Sequence, residues 1–191
     1  MTALVLGPNG SGKSAYAETL AARFSTSFMY YIATMVPFGT EGQSRVEKHR
    51  KQREALGFIT VEKSRFVSDI SLESDAVVLL EDVSNLLSNA MFDVGAISGD
   101  VRQAKTGRGF ITEGDFESVF CDITALCESC STAVLVSIDG LIAMSNYDGE
   151  TRTFIESLNR LNYMLADFAD IVIEMRGGEP IIVKGGANAL D

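Results

Sequence analysis

Two stretches of this 191-residue chain carry residue types at spacings that can do chemistry. The first is "GPNGSGKS", Gly7 to Ser14. In Gly7, Pro8, Asn9, Gly10, Ser11 and Gly12 the glycines let the backbone curl, so that successive N–H groups face one anion. Lys13 follows, as a charge for the β and γ phosphates of a nucleotide, and the Ser14 hydroxyl is suited to hold Mg²⁺. The second stretch is "SRVEKHRKQR", residues 44–53. It holds the only histidine, His49, among Arg45, Lys48, Arg50, Lys51 and Arg53, five of the sixteen basic residues. Read as a helix, Arg45, His49 and Arg53 fall four apart on one stripe. Flanking positive charge disfavours protonation of the imidazole, and a neutral imidazole is what a nucleophile must be. The same two arginines can grip α-phosphate oxygens in bidentate pairs. The residues alone leave an equal alternative, a solvated charged helix with a surface histidine.

The phosphate loop needs a strand before it and a helix after it. The apolar run "TALVL" (2–6) ends at Gly7 and an amphipathic pattern begins at Lys13, which supplies both. A second acid is required for the metal, at the end of a buried strand. "AVVLLED" offers Glu81 or Asp82, and Glu81 is preferred because it directly ends the apolar run. A carboxylate there without a partner is costly, which favours a metal or water role. The competing explanation is an acid at a helix N-terminus, where the macrodipole favours it.

These residues must be positioned by the elements around them. Aliphatic and β-branched runs predict strands at 2–6, 28–33, 58–61, 76–80, 132–138, 169–174 and 180–184. Periodicities of three and four predict helices at 13–24, 43–56, 83–92, 114–129 and 151–168. Strands that are apolar throughout, alternating with helices, predict an α/β fold with a mainly parallel sheet flanked by helices on both faces. "RGGE" before the last strand predicts a closing antiparallel hairpin. The Gly-rich, polar stretch 93–113 reads as a mobile loop. The whole, 1–191, is expected to be one nucleotide-binding domain.

Composition narrows the function. With 46% hydrophobic residues the chain is globular. A net charge of −10 argues against nucleic acid as the main partner, so the local basic cluster is expected to meet a small anion. No apolar run approaches the length of a membrane span, and the N-terminus shows no signal-peptide pattern. Cys121, Cys127 and Cys130 are few and odd in number, as expected of a reducing cytoplasm, and read as plain thiols because a metal pair would lack further ligands.

Other P-loop proteins fit less well. The loop wording is common among ABC-type ATPases, but L-S-G-G-Q is absent and no histidine follows the acid strand. An ordered set of motifs instead resembles the adenosylcobinamide kinase / adenosylcobinamide-phosphate guanylyltransferase family. These motifs are "YIAT" (31–34), R-V-x-K-H-R-x-x-R (45–53), "FITVE" (58–62), "LLEDVSNLLSNAMF" (79–92) and "TRTFIESLNRLNYMLADFADIVIEMRGGEPIIVKG" (151–185). The resemblance spans nearly the whole chain except 93–113. It implies a P-loop NTPase fold, usually a homotrimer, with Mg²⁺ and with ATP or GTP as substrate. It implies phosphorylation of the aminopropanol hydroxyl of adenosylcobinamide, then transfer of GMP from GTP through a covalent histidine, here His49. By the same resemblance Thr34, Arg45, Arg53 and Glu62 belong to the nucleotide site. The chain departs from the family at three places. Lys48 stands where some members carry the first of two histidines, Gly10 where arginine is usual, and "VSIDGLIAMSNYD" where V-[ST]-N-E-V-G-x-G-I-V-P is usual, which sets Asp139 in the glutamate's place. A P-loop kinase of a small alcohol without guanylyl transfer, and a non-catalytic nucleotide-binding paralogue, are the alternatives.

Overall fold

The computed structural model describes residues 1–24, 28–36, 56–92, 115–142 and 144–186. All but the last residue of the expected helix 43–56, the whole basic stretch 44–53 with it, and the expected loop 93–113 lie outside the described residues.

Among the described residues seven strands form one sheet: β1 (Thr2–Gly7), β2 (Met29–Ala33), β3 (Ile59–Glu62), β4 (Val77–Glu81), β5 (Thr132–Ile138), β6 (Ile171–Arg176) and β7 (Glu179–Lys184). Their order is β3-β2-β4-β5-β1-β6-β7. Every neighbouring pair is parallel except β6 and β7, which make the predicted hairpin. Among the described residues four helices cover the sheet: α1 (Lys13–Phe24), α2 (Val83–Met91), α3 (Asp115–Glu128) and α4 (Gly149–Phe168).

The unbroken apolar strands have the cause expected of them. In β4, Val77 and Leu79 pack with Ala17, Leu20 and Ala21 of α1 on one face. Val78 and Leu80 pack on the other with Leu86 and Leu87 of α2, Ile123 and Leu126 of α3, and Leu158, Leu161 and Leu165 of α4. A strand buried on both faces cannot alternate polar and apolar residues. Truncating one of these fully buried leucines would cost about 2–5 kcal/mol.

Most element boundaries fall within one or two residues of the reading of the sequence, and two of the larger shifts have a visible cause. Helix α4 begins at Gly149 rather than 151, because Asp148 caps it: its Oδ1 accepts from the Thr151 N–H at 2.7 Å. Strand β6 runs to Arg176 rather than ending at 174, because β7 pairs with it up to Arg176 and Glu179. A short 3₁₀ turn at Val67–Asp69 carried no sequence signal; Asp122 of α3 accepts from the N–H groups of Val67 and Ser68, each at 2.9 Å.

Candidate functional site

The phosphate loop joins the carboxyl end of β1 to the N-terminus of α1. Gly7 must lack a side chain: a Cβ there would lie 2.6 Å from Ser11 Oγ and 2.9 Å from Met175 Cβ. Gly10 and Gly12 have φ of 75° and 85°, in the left-handed region that favours glycine. The Ser11 N–H donates to the Pro8 carbonyl at 3.2 Å, which closes the curl. Lys13, buried at 7% exposure, lies along the loop, with Nζ 3.5 Å from the Pro8 carbonyl. The N-terminal turn of α1 thus begins inside the loop, and its free N–H groups and dipole favour an anion there.

The two candidate acids at the end of β4 have different tasks. Ser14 donates to Glu81 Oε1 at 2.6 Å. Asp82 instead caps α2, accepting from the Asn85 N–H at 2.7 Å and the Ser84 hydroxyl at 2.5 Å. Glu81 Oε2 is buried and has no hydrogen-bond partner among the described residues. Burial pushes the Glu81 carboxyl up to about 7; the Ser14 hydrogen bond and Lys13 pull it down, while Asp82 and Glu18 push it further up. A carboxylate held in a dry site beside a hydroxyl, with one oxygen unsatisfied, is the donor pair a hard divalent cation takes. Ser14 and Glu81 therefore fit Mg²⁺.

That pairing depends on the strand order. Strand β5 lies between β1 and β4. Helix α1 leaves β1, crosses β5 and packs onto β4, so its first turn faces the end of β4. The backbone at Glu81 is fixed by Thr34, which is fully buried. Its hydroxyl lies 2.8 Å from the Asp82 carbonyl and 3.0 Å from the Glu81 carbonyl, and accepts from the Asp82 N–H at 2.8 Å. Asn89 of α2 donates to the Thr34 carbonyl at 2.8 Å and to the Ser64 carbonyl at 3.1 Å, tying together the carboxyl ends of β2 and β3.

The structure therefore brings together Gly7, Pro8, Asn9, Gly10, Ser11, Gly12, Lys13, Ser14 and Glu81. Thr34 adjoins them through the backbone of Glu81, with its hydroxyl engaged there. Glu62 is exposed at the end of β3, the strand at one edge of the sheet, in register with Ala33 of β2. Arg45, Lys48, His49 and Arg53 lie outside the described residues.

The model of one family, described as cobinamide kinase / cobinamide phosphate guanyltransferase, matches residues 3–183. The chain belongs to this family. A search of curated proteins returned no match. Among solved structures, the chain is similar to "a prototypical ATPase from the type III secretion system of pathogenic bacteria". The TM-score is 0.52 at 15% identity, over 92% of this chain and 51% of the other, so the chain spans about half that ATPase. It is also similar, at TM-score 0.48 and 11% identity, to the flagellar accessory protein FlaH from Methanocaldococcus jannaschii, over 97% of this chain and 78% of that one. At such identities the likeness to the ATPase shows the fold alone: a mostly parallel sheet flanked by helices, of the P-loop NTPase type.

Within this family member, several residues that shape the site escaped the reading of the sequence. Asn162 of α4 is buried; it donates to the Ile138 carbonyl at 2.8 Å and its Oδ1 accepts from the Ser137 hydroxyl at 2.6 Å. Asn159, one turn earlier, donates to the Leu141 carbonyl at 3.2 Å. A signal was present: Asn162 interrupts the apolar stripe of Leu158, Leu161 and Leu165, and a buried amide needs partners. Glu174 and Arg176 alternate along β6 and pair with each other, Arg176 Nε donating to Glu174 Oε2 at 2.8 Å. Nothing in the sequence placed that pair beside the phosphate loop. The cysteines are free thiols, and among the described residues no cluster of metal-ligating side chains forms around them.

Proposed function

We propose that this chain phosphorylates the aminopropanol hydroxyl of adenosylcobinamide with ATP or GTP, and then transfers GMP from GTP to the new phosphate through a covalent adduct on His49. The observation that carries the kinase half is the Ser14–Glu81 hydrogen bond of 2.6 Å across the mouth of an intact phosphate loop. The family match extends the reading to the corrinoid and to guanylyl transfer. Loop N–H groups and Lys13 would hold the β and γ phosphates, and Lys13 would offset charge that builds on the transferred group. Bound Mg²⁺, held by Ser14 and Glu81, would neutralise phosphate charge and orient the nucleotide. Thr34 and Asn89 keep Glu81 in place, so less reorganisation is needed when nucleotide arrives. Arg45, Arg53 and Glu62 are assigned to the nucleotide site and His49 to the GMP acceptor by the family pattern and by their spacing in the sequence. A homotrimer in the cytoplasm belongs to the same reading; among the described residues no helix is long and apolar enough to cross a membrane.

The test is incubation with GTP, Mg²⁺ and adenosylcobinamide, with mass analysis of small molecules and of intact protein. Expected are adenosylcobinamide phosphate, its GDP-linked product, and a protein adduct of one GMP that is acid-labile and maps to His49. His49→Ala should abolish the adduct and spare phosphorylation. Phosphorylation by the parent without any adduct would leave the kinase alone, and a GMP adduct on Lys48 would move the nucleophile by one residue. Absence of phosphorylation would reject the kinase assignment.

A further inference from the structure

Strand β5 delivers a carboxylate to the phosphate loop that the reading above leaves without a task. Ile138 is in register with Gly7, the last residue of β1, and the N–H of Asp139 points to the Gly7 carbonyl at 3.4 Å. Asp139 therefore begins where the phosphate loop begins. The chain around it is held from behind: Asn162 takes the carbonyl of Ile138 and Asn159 that of Leu141. These two hydrogen bonds from one helix, to Ile138 just before Asp139 and to Leu141 two residues after it, hold the chain around Asp139 although it lies beyond the strand.

Two other carboxylates near the loop have partners. Glu81 Oε1 takes the Ser14 hydroxyl, and Glu81 fits the metal. Glu174 is paired with Arg176. The Asp139 side chain accepts no hydrogen bond among the described residues and is only partly exposed. The charged groups that act on it are Glu174 and Arg176 of β6 and Lys13 of α1. The register of Ile138 with Gly7 sets Asp139 beside the start of the phosphate loop, at the carboxyl edge of the sheet where an acceptor must approach.

We infer that Asp139 is the catalytic base that takes the proton from the acceptor alcohol as the terminal phosphoryl group is transferred. The inference rests on the kinase reading above. The hydroxyl O–H bond breaks, its proton passes to an Asp139 oxygen, and the alcohol oxygen forms a bond to the γ-phosphorus. The bond from that phosphorus to the β,γ-bridging oxygen breaks, and its electron pair leaves with the nucleoside diphosphate. Asp139 then returns its proton to water. Atoms, charge and electrons balance with only the nucleoside triphosphate and the alcohol consumed. An aspartate in this task orients the hydroxyl as well as accepting its proton. Burial first, then Glu174, raises its pKa, while Lys13 and Arg176 oppose; a raised carboxyl pKa makes the base stronger at neutral pH.

The test compares parent, Asp139→Asn and Asp139→Glu with ATP, Mg²⁺ and adenosylcobinamide, following phosphorylated product, with ATP affinity measured separately. Expected for Asp139→Asn is a fall in kcat of about 10²–10⁴-fold, ATP affinity like the parent's, and loss of the acidic limb of the kcat–pH profile. Asp139→Glu should recover part of the rate and keep that limb. Asp139→Asn turning over within a few-fold of the parent would overturn the assignment, as would a rate loss matched by lost ATP affinity, which would make Asp139 a group that positions Lys13. A parent that binds ATP yet phosphorylates no alcohol would overturn the kinase reading itself, and is told apart because it appears before any variant is compared.

Discussion

Replacing Glu81 with glutamine should make the metal-free protein more stable, and by an amount that grows with pH. The carboxyl is buried, bonded to Ser14, and pushed from its ordinary value of 4.5 up to about 7, with burial the largest cause. A carboxyl whose folded pKa is raised is neutral in both states at low pH. As pH rises past 4.5 the unfolded chain releases its proton and the folded chain does not, so stability falls until the folded group ionises near 7. At 1.36 kcal/mol for each pH unit, the loss between pH 4.5 and 8 is about 3 kcal/mol. Glutamine has no proton to release, keeps the shape, and leaves an oxygen for the Ser14 hydroxyl. Urea unfolding of parent and Glu81→Gln at a series of pH values, with a chelator present, measures the difference, in which all other titrations cancel. The variant should gain on the parent by about 3 kcal/mol across this window. A difference independent of pH would refute the reasoning, and would mean that water or rearrangement already solvates Glu81. Added Mg²⁺ and nucleotide should restore stability to the parent at pH 8 and do so poorly for the variant, since binding to the folded state alone stabilises it.

Three further outcomes are expected. Gly7→Ala should leave the chain folded by circular dichroism but lower nucleotide affinity by at least about tenfold, because the added carbon meets Ser11 Oγ and Met175 Cβ at 2.6 and 2.9 Å; unchanged affinity in a titration would show that the loop yields freely. Asp82→Ala should cost about 1–2 kcal/mol in urea unfolding through loss of the α2 cap, and Asp82→Asn less, since an amide oxygen still accepts from Asn85. Alkylation of the native protein near pH 8 should label Cys121 first, because it is exposed while burial pushes the Cys127 and Cys130 thiols up to about 12 and 11; equal labelling rates by peptide mapping would contradict this.

The parts of this protein whose physics is local are legible in its residues alone. An anion loop needs glycines at positive φ followed by a helix N-terminus, and Gly10, Gly12 and Lys13 are consecutive enough to be read directly. Continuous apolar strands announce a sheet covered on both faces, because a solvated face would show polar residues at every second position. The hairpin was legible in "RGGE" for the same reason: the turn lies within a few residues. What the sequence left open was decided by contacts distant along the chain. Glu81 and Asp82 are adjacent and chemically alike, and only the placement of β5 between β1 and β4 brings Ser14 to Glu81 while Asp82 turns to cap α2. Thr34 is "YIAT" in sequence, yet its buried hydroxyl is spent on the backbone of Glu81, 47 residues away. Asn162 in a leucine stripe announces a need for partners but not their identity, which is settled 24 residues upstream at Ile138. Asp139 joins Lys13, Glu174 and Arg176 because three parallel strands end side by side, and strand order is a property of the whole packed sheet rather than of any segment in it.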